Sequence, residues 1–150
     1  MIVGFGRVGR LVGAALERRG LPFVVVELDP RICRDLRARG IPVVQGLAEN
    51  ERNLERAQLD RAQVVVVTLA DPIALRQFVH YVRHEHPRVP VISRARSAAD
   101  REMLAREGVG EIVVAETEVA LEVARFTLGR FGVSGPETAA IVQGLRRRAS

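Results

Sequence analysis

Three glycines and one carboxylate carry the spacing that could do chemistry in this sequence. Gly4, Gly6 and Gly9 form G-x-G-x-x-G within Gly4-Phe5-Gly6-Arg7-Val8-Gly9, directly after the apolar pair Ile2-Val3 and directly before a helical pattern. Each glycine has its own task. Gly4 permits a tight turn out of a strand, Gly6 leaves the backbone open to a close-approaching phosphate, and Gly9 lets the helix lie close on the sheet. The N–H groups and positive dipole end of that helix attract an anion. Glycines also end strands for purely structural reasons, so the motif takes its meaning from the residues C-terminal to it. The β-prone run Phe23-Val24-Val25-Val26 ends on Glu27, an acid about 20 residues past the glycines and placed to accept hydrogen bonds from ribose hydroxyls. Strand, glycines, helix, strand and acid in that order point to an adenine nucleotide. A βαβ unit whose glycines serve only packing is the alternative.

Other residues join this set on weaker grounds. Arg7 sits inside the glycine loop, where a guanidinium suits phosphate. Thr68 and Leu69 follow the apolar run Val64–Val67 and stand at a strand tip, where a dinucleotide fold lines its cleft; a plain strand-to-helix turn explains them equally well. Arg94 and Arg96 alternate at the end of a later strand and can face the cleft, another subunit or water. Asp29 is accounted for as the N-cap before Pro30. His80 and His84 share a helix face at a spacing that suits a metal, yet no third ligand matches, so surface histidines are expected. No serine, cysteine or lysine has the neighbours of an activated nucleophile, and no acid–base set for hydride transfer is present.

Positioning these residues takes alternating elements. Strands are expected at the start of the chain and over 21–28, 41–45, 64–67, 91–94 and 111–115. Helices are expected over 7–19, 29–40, 51–59, 72–85, 97–107, 116–131 and 136–148. Strand and helix in strict alternation predict an α/β fold. It is a Rossmann-like, doubly wound, parallel six-stranded sheet with right-handed crossovers and two extra C-terminal helices. Ligand belongs across the C-terminal strand ends, where the strand order reverses. Residues 1–115 then form the nucleotide-binding core and residues 116–150 the added helices. The first of these helices carries Val119, Ala120, Val123, Ala124, Phe126, Leu128 and Phe131, more apolar surface than one sheet contact needs, which suggests a subunit contact or the rest of a longer chain. Only three residues precede Gly4, where a buried strand usually runs about five, so the chain is expected to be a piece of something longer.

Composition excludes several classes. A chain of 150 residues makes one domain of ordinary size. The formal charge of +5 is carried by arginines interspersed with glutamates; without an aromatic platform this describes a solvated helix surface rather than a nucleic-acid site. Arg146-Arg147-Arg148 is the one cluster, at a helix end that favours cations, and it could equally face anionic lipid or an acidic partner. No apolar run approaches the ~18 residues of a membrane span, and no secretory leader is expected. Cys33 is alone, which fits a reducing compartment, and is expected to fill space.

The sequence resembles the N-terminal nucleotide-binding subdomain of RCK domains, also called TrkA-N or KTN domains, which regulate potassium channels and transporters. The resemblance runs through 3–9, 25–29, 39–46 and 66–69. Ile92-Ser93-Arg94-Ala95-Arg96 and Glu116-Thr117-Glu118-Val119-Ala120-Leu121-Glu122 are most similar to the cytosolic C-terminal domain of Kef-type monovalent cation:proton antiporters. The resemblance implies that Gly4, Phe5, Gly6, Arg7, Val8 and Gly9 hold phosphate. Glu27 holds the ribose with Leu28 beside it, Ala48 lies in the loop after the third strand, and Thr68 and Leu69 form the cleft wall. It implies NAD(H), AMP or ATP as ligand, a membrane-embedded antiporter segment upstream in the same chain, a homodimer at the cytoplasmic face of the membrane, and regulation rather than catalysis. Two departures matter. Gly46-Leu47-Ala48 replaces a common Gly-Asp-Ala, which removes an acidic contact near the adenosine, weakens the case for a dinucleotide and leaves a mononucleotide such as AMP. Arg94 and Arg96 stand where calcium-gated relatives carry acids, so calcium activation is not expected. An NAD-dependent oxidoreductase fragment and a free-standing regulatory subunit are the alternatives.

Overall fold

The computed structural model describes residues 1–149; Ser150, the end of the expected C-terminal unit, lies outside the described residues. The elements run β1 (Ile2–Val3), α1 (Arg7–Arg18), β2 (Val25–Glu27), α2 (Pro30–Ala38), β3 (Val43–Gln45), α3 (Glu51–Arg56), a 3₁₀ turn (Leu59–Arg61), β4 (Val65–Val67), α4 (Pro72–Glu85), β5 (Val91–Ala95), α5 (Ala98–Arg106), β6 (Glu111–Val114), α6 (Ala115–Arg130) and α7 (Gly135–Ala149). All strand pairs are parallel, and the order across the sheet is β3-β2-β1-β4-β5-β6. The doubly wound six-stranded fold expected from the alternation is the fold observed.

The central strands are buried on both faces, as parallel strands under helical layers must be. Ile2, Val25, Phe5, Leu36 and Ile41 pack in one layer with α1 and α2. Val3, Val26, Val65, Val67, Phe78, Val79 and Leu104 form the larger layer on the other side. Among the described residues, no helix is long and apolar enough to cross a membrane.

Helix starts follow their caps. Asp29 accepts from the Arg31 N–H, Asp71 from Ile73 and Ala74, Asn50 from Arg52, and Ser97 from Asp100, with Pro30 and Pro72 at first helical positions. Helix α1 begins instead at Gly6, which offers no side chain, and its first turn holds no acid.

Several boundaries shift from expectation, most clearly at β2 and α3. The second strand begins at Val25 rather than Leu21. Pro22 has no N–H to donate, and the pairing of β1 with β2 runs from Ile2 against Val25 to Val3 against Val26. The expected helix over 51–59 breaks at Gln58, whose φ of 56° is left-handed, and resumes as the 3₁₀ turn. At the C-terminal end α6 and α7 pack on each other, with Leu121 of α6 buried and Glu118 bridged to Arg146 at 2.7 Å.

Candidate functional site

Strand order reverses between β1 and β4, so the C-terminal tips of β2, β1 and β4 meet at one edge of the sheet. Gly4 leaves β1 with φ +85°, a conformation that favours glycine. A Cβ there would stand 3.2 Å from Thr68 Oγ1 and 3.4 Å from the Leu69 nitrogen. The Thr68 hydroxyl donates to the Gly4 carbonyl at 2.8 Å, which ties the β4 tip to the glycine turn. Gly9 answers from the first turn of α1: a Cβ there would lie 2.3 Å from the Gly4 oxygen. Gly13, one turn further, faces the Phe5 ring, 2.9 Å from where its Cβ would be. Small residues at 9 and 13 therefore let α1 settle on the strand.

Gly6 differs from its neighbours. A Cβ on it would meet nothing within 4 Å, so packing does not require glycine there. Its φ of −74° is open to other residues. The space over Gly6 is the approach to the start of α1, where the first intrahelical bond at the cap runs from Arg10 N–H to Gly6 O. The N–H groups of Arg7, Val8 and Gly9 precede it and have no intrahelical acceptor. Uncapped N–H groups, with no acid in the helix's own first turn, can attract an anion. The Arg7 side chain is exposed, as is Val8.

Glu27 stands across from this loop at the end of β2. Its Oε2 accepts from the Phe5 N–H at 2.5 Å, and its Oε1 accepts from the N–H groups of Leu28 and Asp29 at 2.8 and 2.9 Å. A carboxylate has about four lone-pair sites, so one remains for a ribose hydroxyl. Contact with both hydroxyls needs the carboxylate to release a backbone donor. Beneath it, the Cys33 thiol donates to the Glu27 carbonyl at 3.4 Å and is buried. Burial, then the Glu27 charge, pushes that thiol's pKa up, which fits a space-filling cysteine.

The remaining expected residues divide by exposure. Leu28 is 58 % exposed beside Glu27. The Phe5 and Ala48 side chains are in the core, so either can meet a ligand only through its backbone. Leu69 packs partly against the larger core layer. The loop after β3 is drawn to β2 by the Gly46 N–H, which donates to the Glu27 carbonyl at 2.9 Å. In the same loop Leu47 is 48 % exposed. Arg96 is engaged by α5: its N–H donates to Asp100 Oδ2 at 3.1 Å. His80 and His84 stack on the outer face of α4 with ring centres 6.2 Å apart, and His80 meets Glu107 at 3.3 Å. Among the described residues no group of three potential ligands could hold a metal ion.

Residues 1–115 match the TrkA-N domain family. The chain belongs to that family. The TrkA-N domain of the inner membrane protein YbaL from Escherichia coli is 30 % identical with a TM-score of 0.78, over 81 % of this chain and 90 % of that one. The Kef CTD of Shewanella denitrificans, solved in an AMP-bound form, is 20 % identical and superposes with a TM-score of 0.86 over 99 % of this chain and 91 % of that one, a likeness of fold. The glutathione-regulated potassium-efflux system protein KefC of Cronobacter sakazakii is 34 % identical over 137 residues, which are 91 % of this chain and 22 % of KefC. The chain thus spans about a fifth of that relative's length. In this TrkA-N domain the family match ends as α6 begins, while the Kef CTD likeness extends through α6 and α7.

Proposed function

We propose that this TrkA-N domain is the cytosolic nucleotide-sensing domain of a potassium or other cation transporter, of the Kef-type cation:proton antiporter kind. It is regulatory, and its ligand is an adenine nucleotide: AMP, ATP or NAD(H). One observation carries this reading. Gly6 is glycine where packing does not demand it, at an uncapped helix start that faces the Glu27 carboxylate. Phosphate would take the N–H groups of Arg7 to Gly9 with the Arg7 guanidinium near by, and ribose would take the free lone pair of Glu27. The base would reach the apolar edge formed by Leu28 and Leu47. That edge suits a mononucleotide such as AMP, in line with the AMP-bound form of the Kef CTD.

Residues 1–115 would bind, and residues 116–150 would transmit. Val119, Val123 and Phe126 are spaced as one stripe of α6 and all are exposed, as is Phe131. A second copy covering that stripe would make a domain pair. Ligand that fits one arrangement of the pair better than another shifts its population and biases the attached membrane part. The domain would stand at the cytoplasmic face, downstream of the antiporter segment. Among the described residues near the cleft, none is arranged as a nucleophile with its base or as a hydride-transfer acid, which favours a sensor over an oxidoreductase.

Titration calorimetry with AMP and NADH tests the reading. Saturable one-site binding of at least one of them is expected, with no steady consumption of NADH in the presence of small oxidised substrates. Absence of binding by AMP, ATP and NADH alike would overturn it.

A further inference from the structure

The residues from Gly46 to Asn50 join β3 to α3 beside the Glu27 tip, and three anchors hold them. The Gly46 N–H donates to the Glu27 carbonyl at 2.9 Å. Ala48 is buried in the larger core layer. The third anchor is a side chain of α3. Asn53 Nδ2 donates to the Leu47 carbonyl at 3.0 Å, beside a longer bond to the same oxygen from the Asn50 N–H at 3.3 Å.

The Asn53 amide reaches that carbonyl by crossing the space over Gly46. A Cβ on Gly46 would stand 2.9 Å from Asn53 Cγ and 3.1 Å from its Oδ1. Glycine at 46 and the amide at 53 are thus one arrangement, in which the first leaves the room and the second fills it. The helix fixes where the amide starts. Asn50 caps α3 by accepting from the Arg52 N–H at 3.0 Å, and Leu54, next to Asn53, is buried in the core.

Residue 47 is therefore held on both sides, by the Gly46 N–H before it and by its own carbonyl after it. Two fixed peptide groups set the direction in which the Leu47 side chain leaves the backbone, and that side chain is exposed. A contact side chain that is held in place beforehand spares the ordering cost of binding, about 0.5–1.5 kcal/mol for each side chain immobilised.

We propose that Asn53 is a positioning residue of the nucleotide site. Through the Leu47 carbonyl it holds the Leu47 side chain where the base of a bound nucleotide packs, and it touches no ligand itself. This rests on the sensor reading and deepens it: the brace makes the site prefer a nucleotide over the same ribose phosphate without a base.

Two variants test the brace. Asn53→Ala removes the amide. Asn53→Asp keeps its shape but sets an acceptor against the Leu47 carbonyl, which needs a donor. AMP and ribose 5-phosphate are titrated into wild type and both variants, with thermal melts, and amide exchange at Gly46 is followed without ligand. Protection of the Gly46 amide should fall severalfold in both variants, because the loop it belongs to has lost an anchor. AMP should bind about 3- to 10-fold more weakly, the equivalent of one lost hydrogen bond, while ribose 5-phosphate binds as it does to wild type. That split is what a merely structural role would not give. Equal weakening of both ligands, or of neither, would overturn the proposal and leave Asn53 a brace for α3 alone. Wild-type AMP affinity in Asn53→Asp would also overturn it, because donation to Leu47 would then be irrelevant. Both of these results leave the sensor reading intact. A wild-type protein that binds neither AMP nor any other adenine nucleotide would remove the sensor and this inference together.

Discussion

Phe5 donates its backbone N–H to the Glu27 carboxylate at 2.5 Å, so the acid at the tip of β2, proposed to take the ribose, also holds the glycine loop. Glu27→Ala should then have two effects. Three backbone donors lose their acceptor, which should cost about 1–3 kcal/mol of stability, toward the lower end because water reaches the site. A charged hydrogen bond to ribose contributes about 1.5–3 kcal/mol, so AMP or NADH should bind about 10- to 100-fold more weakly. Wild type should bind NADPH far less well than NADH, because the carboxylate repels a 2′-phosphate, and the variant should narrow that gap. Calorimetry and melts on both proteins separate the roles. A lower melting temperature with unchanged AMP affinity would make Glu27 only a strap between two loops.

Thr68 offers a cleaner cut through the same edge. Its hydroxyl donates to the Gly4 carbonyl at 2.8 Å, and Thr68→Val removes that bond at nearly constant volume. The loss should be about 1 kcal/mol, or about 2–4 °C in melting temperature for a chain of this size. Thr68→Ser keeps the hydroxyl and should recover most of it. Equal melting of all three proteins would show that the Gly4 turn does not depend on Thr68.

The glycine loop and the alternating, doubly wound architecture were legible in the sequence because each rests on a local rule. A strand, three spaced glycines and a terminal acid leave few topologies open, and the apolar Val64–Val67 run belongs at the sheet centre. The side-chain bonding of Glu27 was not legible. An acid in that place reads as a ribose acceptor, and nothing in one dimension shows that the Phe5, Leu28 and Asp29 N–H groups converge on it. The start of β2 was misplaced because a strand needs partners as well as propensity, and Pro22 has no N–H with which to pair.

Helix α6 makes the assembly prediction. Val119, Val123 and Phe126 recur at helical spacing and are exposed, and contiguous apolar stripes of this kind mark contact surfaces. Sedimentation should show a dimer. Val123→Glu with Phe126→Glu should give a monomer that keeps its melting profile, since neither side chain is buried in the domain. A wild-type monomer at high concentration would remove the domain pair from the mechanism.

The contact between α6 and α7 should respond to acid. Hydrogen bonding from Arg146 holds the Glu118 carboxyl below its ordinary pKa. A depressed folded-state value stabilises at pH above the unfolded carboxylate's pKa, and that contribution is lost as pH falls through the folded value. Both side chains are 40–48 % exposed, so screening keeps the effect small. Protection of α7 amides against exchange, taken relative to the intrinsic rate at each pH, should fall in acid and with salt at neutral pH, and Glu118→Gln should lose the pH response. A Glu118→Gln protein that keeps the wild-type response would assign it to other carboxylates.

Gly6 and Gly9 should separate binding from folding. A Cβ at Gly9 would lie 2.3 Å from the Gly4 oxygen and 3.2 Å from its carbon. Those are backbone atoms that cannot swing aside, so Gly9→Ala must move α1 away from β1. Overpacking of this kind costs about 1–3 kcal/mol, and it spreads the N–H groups of the first turn. At Gly6 the same methyl meets nothing within 4 Å. The φ of −74° suits alanine, and removing an N-cap glycine costs at most about 1 kcal/mol. Gly6→Ala should therefore fold nearly as well as wild type while its methyl stands where phosphate must approach, with AMP affinity reduced by about tenfold or more. Melts and calorimetry on the two variants give opposite patterns if α1 is a phosphate site: stability falls at Gly9, and binding alone falls at Gly6. If Gly6→Ala binds AMP as wild type does, phosphate does not sit over Gly6, and the glycines serve only the packing of β1 against α1.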